Sequence, residues 1–111
     1  MTYTINGKPH TEFDINKRCA ELMGVAVLIG KWKTVDYLML ECGFSDYNPC
    51  NDPSDTDAII DKCWDELMCT VTDWNDVNIP KWECLIEKHN CTKLIAACIC
   101  LIEMEGEHER Q

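Results

Sequence analysis

Leu94-Ile95-Ala96-Ala97-Cys98-Ile99-Cys100-Leu101-Ile102 is the stretch on which the fold turns. Nine consecutive apolar residues leave no polar stripe at helical or strand spacing, so the element they form must be covered on nearly every side. The run falls far short of the ~20 residues needed to cross a bilayer as a helix. Thr92, two residues ahead of it, supplies a side-chain oxygen at the N-cap position. The segment therefore reads as a closing helix at the centre of the molecule. Beyond it, Glu103, Glu105, Glu107 and Glu109 with Gly106 predict an acidic end that frays over 106–111.

Working outward, two further helices are available to cover that centre. Thr11 with Asp14 three residues later has the form of a capping box, Ile15, Cys19, Leu22 and Met23 recur at i, i+4, i+7 and i+8, and Gly24 stands where a helix ends. Asp52 is an N-cap, Pro53 suits the first helical position, and Asp55 adds negative charge to the first turn. Ile59, Ile60, Cys63, Trp64, Leu67 and Met68 then give a broad buried face, which predicts a helix over 53–67. Between the two helices, Val25–Ile29 and Trp32–Leu40 are extended segments interrupted by Gly30, and 45–51 is a loop rich in Asp, Asn and Pro. After the second helix, Cys69, Val71 and Asp73 alternate with Thr70, Thr72 and Trp74, 75–80 turns, and Trp82, Cys84 and Ile86 alternate with Lys81, Glu83 and Glu87. That pattern predicts a β-hairpin with one wet face. Residues 1–10, with Gly7 and Pro9 and no period, read as a flexible lead-in. The expected architecture is α+β. It is a single-domain α-β-α sandwich over 11–105, with a small antiparallel or mixed sheet and about three helices.

With 111 residues the chain has room for one core, and 46% apolar residues suffice to fill it. Ten Lys and Arg against twenty Asp and Glu give a net charge of −10, which works against binding a phosphate backbone and suits a surface that approaches a basic groove. The nine cysteines are an odd number. Cys19, Cys63, Cys84, Cys98 and Cys100 fall on inward positions, and Met1–Lys8 shows no basic and then apolar leader. Reduced, buried thiols in a reducing cytosol are the expectation.

Constellations that would carry chemistry are sparse. Cys84, His89 and Cys91 lack paired zinc-ligand spacings, and Cys98 and Cys100 point about 200° apart on a helix. The three histidines, His10, His89 and His108, offer a base only to Cys91, so no catalytic residue is assigned and the chain is not read as an enzyme. No glycine-rich phosphate cradle occurs, and Asp55 with Asp57 lacks the rest of a calcium loop. No metal or cofactor is called for. Asp57, Asp61 and Asp65 recur every four residues as an acid stripe, read either as a solvated face opposite Ile60, Cys63, Trp64 and Leu67 or as an acidic docking stripe that Asp46, Asp52 and Asp55 extend. The aromatics Trp32, Tyr37, Trp64 and Trp82 read as core. Trp74, near the hairpin turn, is the expected exposed anchor. The candidate binding set is therefore Asp52, Asp55, Asp57, Asp61, Asp65 and Trp74.

The segments Phe13–Gly24, Tyr47–Asp55 leading into Ala58-Ile59-Ile60, Trp82-Glu83 and the Leu94–Met104 helix resemble, in that order, the phage ABA sandwich domain proteins, including NinX-like phage proteins. Those share a first helix ending at Gly, an Asn-Asp-Pro or Ser-Thr-Asp opening to a second helix, and an Ala-rich closing helix. The resemblance spans 13–104 and implies an α-β-α sandwich carried by a phage or prophage, with no catalytic residue to transfer. Thr56-Asp57 and Lys93 depart from the pattern. The expected function is that of a non-enzymatic phage accessory protein in the host bacterial cytoplasm. It would bind, and interfere with, a host or anti-phage defence protein through an acidic surface. The alternative is a protein that binds or sequesters a signalling nucleotide, for which Lys31, Lys33, Lys81 and Lys88 are the basic candidates. Sheet edges or the second helix could support a homodimer.

Overall fold

The computed structural model describes residues 2–43, 45–72 and 77–109. In order, its elements are β1 (Tyr3–Ile5), β2 (Lys8–His10), α1 (Glu12–Met23), β3 (Val27–Trp32), β4 (Val35–Leu40), α2 (Pro53–Leu67), β5 (Thr70–Thr72), β6 (Asn78–Pro80), α3 (Lys81–His89) and α4 (Lys93–Glu109). The Leu94–Ile102 run lies in α4, opened by Thr92 Oγ1 accepting from the Ile95 N–H at 3.3 Å. Every side chain from Ile95 to Ile102 is at most 5% exposed. Such a helix is stable only if neighbours close around it, and α1, α2 and α3 all pack directly against it. Ile15 and Cys19 of α1, Ile59, Cys63 and Leu67 of α2, Leu85 of α3, and Tyr3 and Ile5 of β1 complete this one core.

The helix ends follow local chemistry. Thr11 Oγ1 accepts from the Asp14 N–H at 3.1 Å and Asp14 Oδ2 accepts from the Thr11 N–H at 3.0 Å, closing the expected capping box. Gly24 ends α1 with φ at 70°, a left-handed conformation that suits glycine. In α2, Asp52 Oδ1 accepts from the Ser54 N–H at 3.0 Å with Pro53 in the first turn, and the bounds are those predicted.

The fold is α+β, with four helices among the described residues where about three were expected. Its strands form three antiparallel two-stranded sheets in place of a single layer. Helices sit directly on α4, so the hairpins cover edges and ends of the helical core. The β3–β4 hairpin rests on α1 through a second, smaller cluster in which Ala20, Leu38 and Tyr47 are buried with Phe13, Val25, Val27 and Leu40 around them. Gly30 lies inside β3 and does not break it. The Tyr37 ring lies over its backbone, with Cζ 2.6 Å from where a Cβ would stand.

Three sequence expectations need correction. Residues 2–10, expected as part of a 1–10 lead-in, form a hairpin instead: Asn6 and Gly7 take φ of 52° and 81°, turning the chain so that Tyr3 pairs with His10. Asn-Gly is a strong hairpin signal, and alternation then sends Tyr3 and Ile5 inward, to 6% and 1% exposure. The predicted 69–86 hairpin is shorter than expected, because β5 pairs with β6 while Trp82, Cys84 and Ile86 lie on α3. Over so short a run alternation also fits a helix, and Trp82, Leu85, Ile86 and His89 form its inward stripe. Finally, α4 does not fray from residue 106 but runs to Glu109, and the Asn6 side chain lies against Gly106, its Nδ2 donating to Ile102 O at 3.5 Å. Replacing Ile5 with Ala should lower the unfolding free energy by about 2–4 kcal/mol in urea titrations, where a dispensable lead-in would give a change near zero.

Candidate functional site

The sequence-predicted acid stripe is carried by α2, and a hydrogen-bonded loop sets the start of that helix. Asn16, buried on α1, donates through Nδ2 to Asn48 Oδ1 at 2.9 Å and accepts from the Cys50 N–H at 3.0 Å. Asp55 Oδ2 accepts from the Asn48 N–H at 3.0 Å, and the buried Thr56 hydroxyl donates to Asp52 O at 2.8 Å. These bonds satisfy the polar groups of the 48–52 turn and fix the direction in which α2 leaves it. Asp52 and Asp55 are thus structural groups: Asp52 caps the helix and Asp55 holds the loop.

Asp57, Asp61 and Asp65 stand on the outer face, exposed and without an ion pair among the described residues. The cations that could have neutralised the helix engage other acids. Lys81 Nζ lies 2.6 Å from Glu66, and Lys62 Nζ 3.8 Å from Glu105. Between the aspartates the same face carries Trp64 and Met68, 50% and 41% exposed. Here the structure corrects the sequence reading, which put Trp64 and Met68 on the buried side. The inward line of α2 is Ile59, Cys63 and Leu67, and Trp64 is one residue, or 100°, past it. The signal was present, since Asp57, Asp61, Trp64, Asp65 and Met68 recur at i, i+4, i+7, i+8 and i+11, one helical stripe. The structure also exposes Trp32, at 70%. Trp74 lies outside the described residues, and the exposed stripe on the outer face of α2 is Asp57, Asp61, Trp64, Asp65 and Met68.

The four lysines considered for an anionic ligand do not converge. Lys31 and Lys33 are at the end of the β3–β4 hairpin, Lys81 is held by Glu66, and Lys88 borders a different concavity. A basic group that the sequence reading missed forms where the N-terminal hairpin meets α1. Lys8, His10 and Arg18, with Asn6 and Ile102, line a concavity of about 440 Å³, and Lys17 lies on the adjoining groove. Arg18 also holds Glu21 at 3.1 Å. Seeing this group in the sequence required recognising Asn6-Gly7 as a turn, because only the hairpin brings Lys8 and His10 onto the helix.

The thiols fill space. Cys19, Cys50, Cys63, Cys98 and Cys100 are buried and free, while Cys84 is half-buried. Cys98 faces Cys19 and Cys50, and Cys100 faces Cys63. Hydrogen bonding between thiols together with burial pushes Cys50, Cys98 and Cys100 up, the direction that makes a thiol inert. Cys91 is pushed up to about 11 by burial and by Cys50, and its Sγ lies 3.9 Å from Leu85 O. Among the described residues, no group of three or more His, Cys, Asp or Glu is placed to hold a metal ion. No helix there is long and apolar enough to cross a membrane.

His89 is the polar exception in the core wall. Its side chain is 6% exposed, Glu103 Oε1 is 3.9 Å from Nε2, and that nitrogen finds no hydrogen bond among the described residues. Burial holds its pKa below the ordinary 6.5, Lys88 lowers it further, and Glu103 opposes them.

No family model matches this chain, and no curated protein or solved structure is significantly similar to it.

Because His89 takes up a proton more readily in the unfolded chain than in the folded one, stability is full above the unfolded pKa and declines as pH falls through and below it. The urea midpoint should be lower at about pH 5.5 than at about pH 7.5, and His89→Phe should shrink that difference. An unchanged difference would mean that another group sets the slope.

Proposed function

We propose that this chain is a non-enzymatic binding protein whose outer α2 face docks on a basic groove of another protein. The single observation that carries this reading is the pairing, on one helical stripe, of three unneutralised aspartates with a half-exposed tryptophan. Unpaired charge steers association and sets specificity, while a partly exposed aromatic supplies contact area at low entropic cost. A protein of net charge −10 approaches a cationic surface under long-range attraction, which salt weakens. From the motif order shared with phage ABA sandwich domain proteins, we take the partner to be a host or anti-phage defence protein in the bacterial cytoplasm. The mode of action would be steric interference at the partner's own anion-binding groove.

Captured from host lysate on immobilised protein, the partner should be retained by the native chain and released by moderate salt. It should be lost from the Asp57→Lys/Asp61→Lys/Asp65→Lys variant. Trp64→Ala should weaken the same complex by about 2 kcal/mol, roughly 30-fold, with the thermal midpoint little changed because the site is on the surface. Retention indifferent to both variants would defeat the reading.

The concavity at Lys8, His10 and Arg18 favours a second reading, sequestration of a small anionic ligand such as a signalling nucleotide. Under that reading a free nucleotide raises the thermal midpoint of the native chain, and Arg18→Ala abolishes the rise. No nucleotide-dependent shift leaves the protein-docking reading alone.

A further inference from the structure

Leu28, Ile29, Trp32 and Val35, four of the large apolar side chains that stand exposed among the described residues, gather on one hairpin at 40, 57, 70 and 63% exposure. Cross-strand pairing of Leu28 with Met39, Gly30 with Tyr37 and Trp32 with Val35 puts one apolar row on the face opposite the Val27, Leu38 and Leu40 side that packs toward α1. Directly paired residues point to the same face of a sheet. That outer row carries no charge.

The two edges of this sheet differ. The outer edge of β4 is occupied: the Leu40 N–H donates to Ser45 O at 2.7 Å and the Tyr47 N–H to Leu38 O at 2.9 Å. Antiparallel strands alternate between pairs that exchange hydrogen bonds and pairs that do not. Since Leu38 and Leu40 bond away from β3 and the Glu41 N–H donates to Ala26 O, their pair-mates Ile29 and Val27, and Lys31 in the same phase, turn their backbone groups to the free edge of β3. An uncovered edge of this kind is a template for another strand, and a two-stranded sheet alone is marginal.

We propose that β3 pairs antiparallel with β3 of a second copy, about a two-fold axis through Ile29, giving a four-stranded sheet β4-β3-β3-β4 across a homodimer. This register brings Ile29 onto Ile29, Lys31 onto Val27 and Leu28 beside Gly30, against the Tyr37 ring that covers it, and it sets Trp32 over Ala26. Val27, Ile29 and Lys31, the three residues of each β3 whose backbone groups face the free edge, are then all paired.

Charge selects this region for contact between copies. Residues 26–40 hold Lys31, Lys33 and Asp36, a net of two minus one, or +1, whereas the remainder of the −10 chain sums to −11. Two copies meeting through the α2 face would bring Asp57, Asp61 and Asp65 together. At β3 no charge lies opposite a like charge, and the two Lys31 are about 13 Å apart along the strands.

Sedimentation velocity from about 10 µM to about 500 µM should show the mass rising from that of the 12.8 kDa chain toward twice that value. Ile29→Lys and Trp32→Lys, both at exposed positions, should each hold the chain at the single-copy mass with an unchanged circular dichroism spectrum. In the native chain, with no variant needed, the amides of Val27, Ile29 and Lys31 should gain hydrogen-exchange protection as concentration rises. Asp57→Lys/Asp61→Lys/Asp65→Lys should leave the dimer intact, which separates this proposal from the α2 reading. A single-copy mass at the highest concentration, a dimer without protection at those amides, or engagement of this edge only by a different protein would overturn it.

Discussion

The structure depends on a single constraint, the enclosure of α4. A helix apolar on every side has no face it can leave to water, so the other elements must be arranged around it. Three helices and the N-terminal hairpin close in, and each contributes one or two of the large side chains Ile15, Ile59, Leu67, Leu85, Tyr3 and Ile5 to a single cluster. Small residues at 96–98 and the alternating thiols let these neighbours approach closely. Five of the nine cysteines, Cys19, Cys50, Cys63, Cys98 and Cys100, are buried fillers of modest volume, and thiol hydrogen bonding with burial makes ionisation of Cys50, Cys98 and Cys100 costly, while Cys42 and Cys69 are exposed.

Enclosing one helix with a chain this short leaves little apolar material to build a continuous sheet. The strands therefore appear as three separate hairpins at the margins, two of them only three residues per strand. The polar requirement is met in one concentrated place, the 48–52 turn, where Asn16, Asn48, Asp55 and Thr56 satisfy backbone groups between α1 and α2. That turn is what converts Asp57, Asp61 and Asp65 from a pattern along a sequence into a surface facing away from the core.

The exterior is consequently divided. One side offers unneutralised carboxylates around Trp64. The β3–β4 hairpin offers apolar side chains, an open backbone edge and a slight excess of positive charge. The two surfaces differ in the force they would use, long-range attraction on α2 and backbone pairing with burial on β3.

Local chemistry by itself determined the central helix, the capped ends of α1 and α2, the α+β class, the acid stripe and the inward thiols, because caps, periodicity and charge spacing act within a few residues. Asn6-Gly7 was equally legible, and a hairpin could have been read there. Tertiary structure alone decided the rest. It chose helix over strand for 81–89, where six alternating residues fit both periods and only packing of Leu85 on α4 separates them. It turned Trp32 outward, because the β3–β4 hairpin packs toward α1 with its Val27, Leu38 and Leu40 side and Trp32 stands on the opposite face. It also brought Lys8, His10 and Arg18 to one concavity, a convergence of side chains distant in sequence that no local pattern encodes.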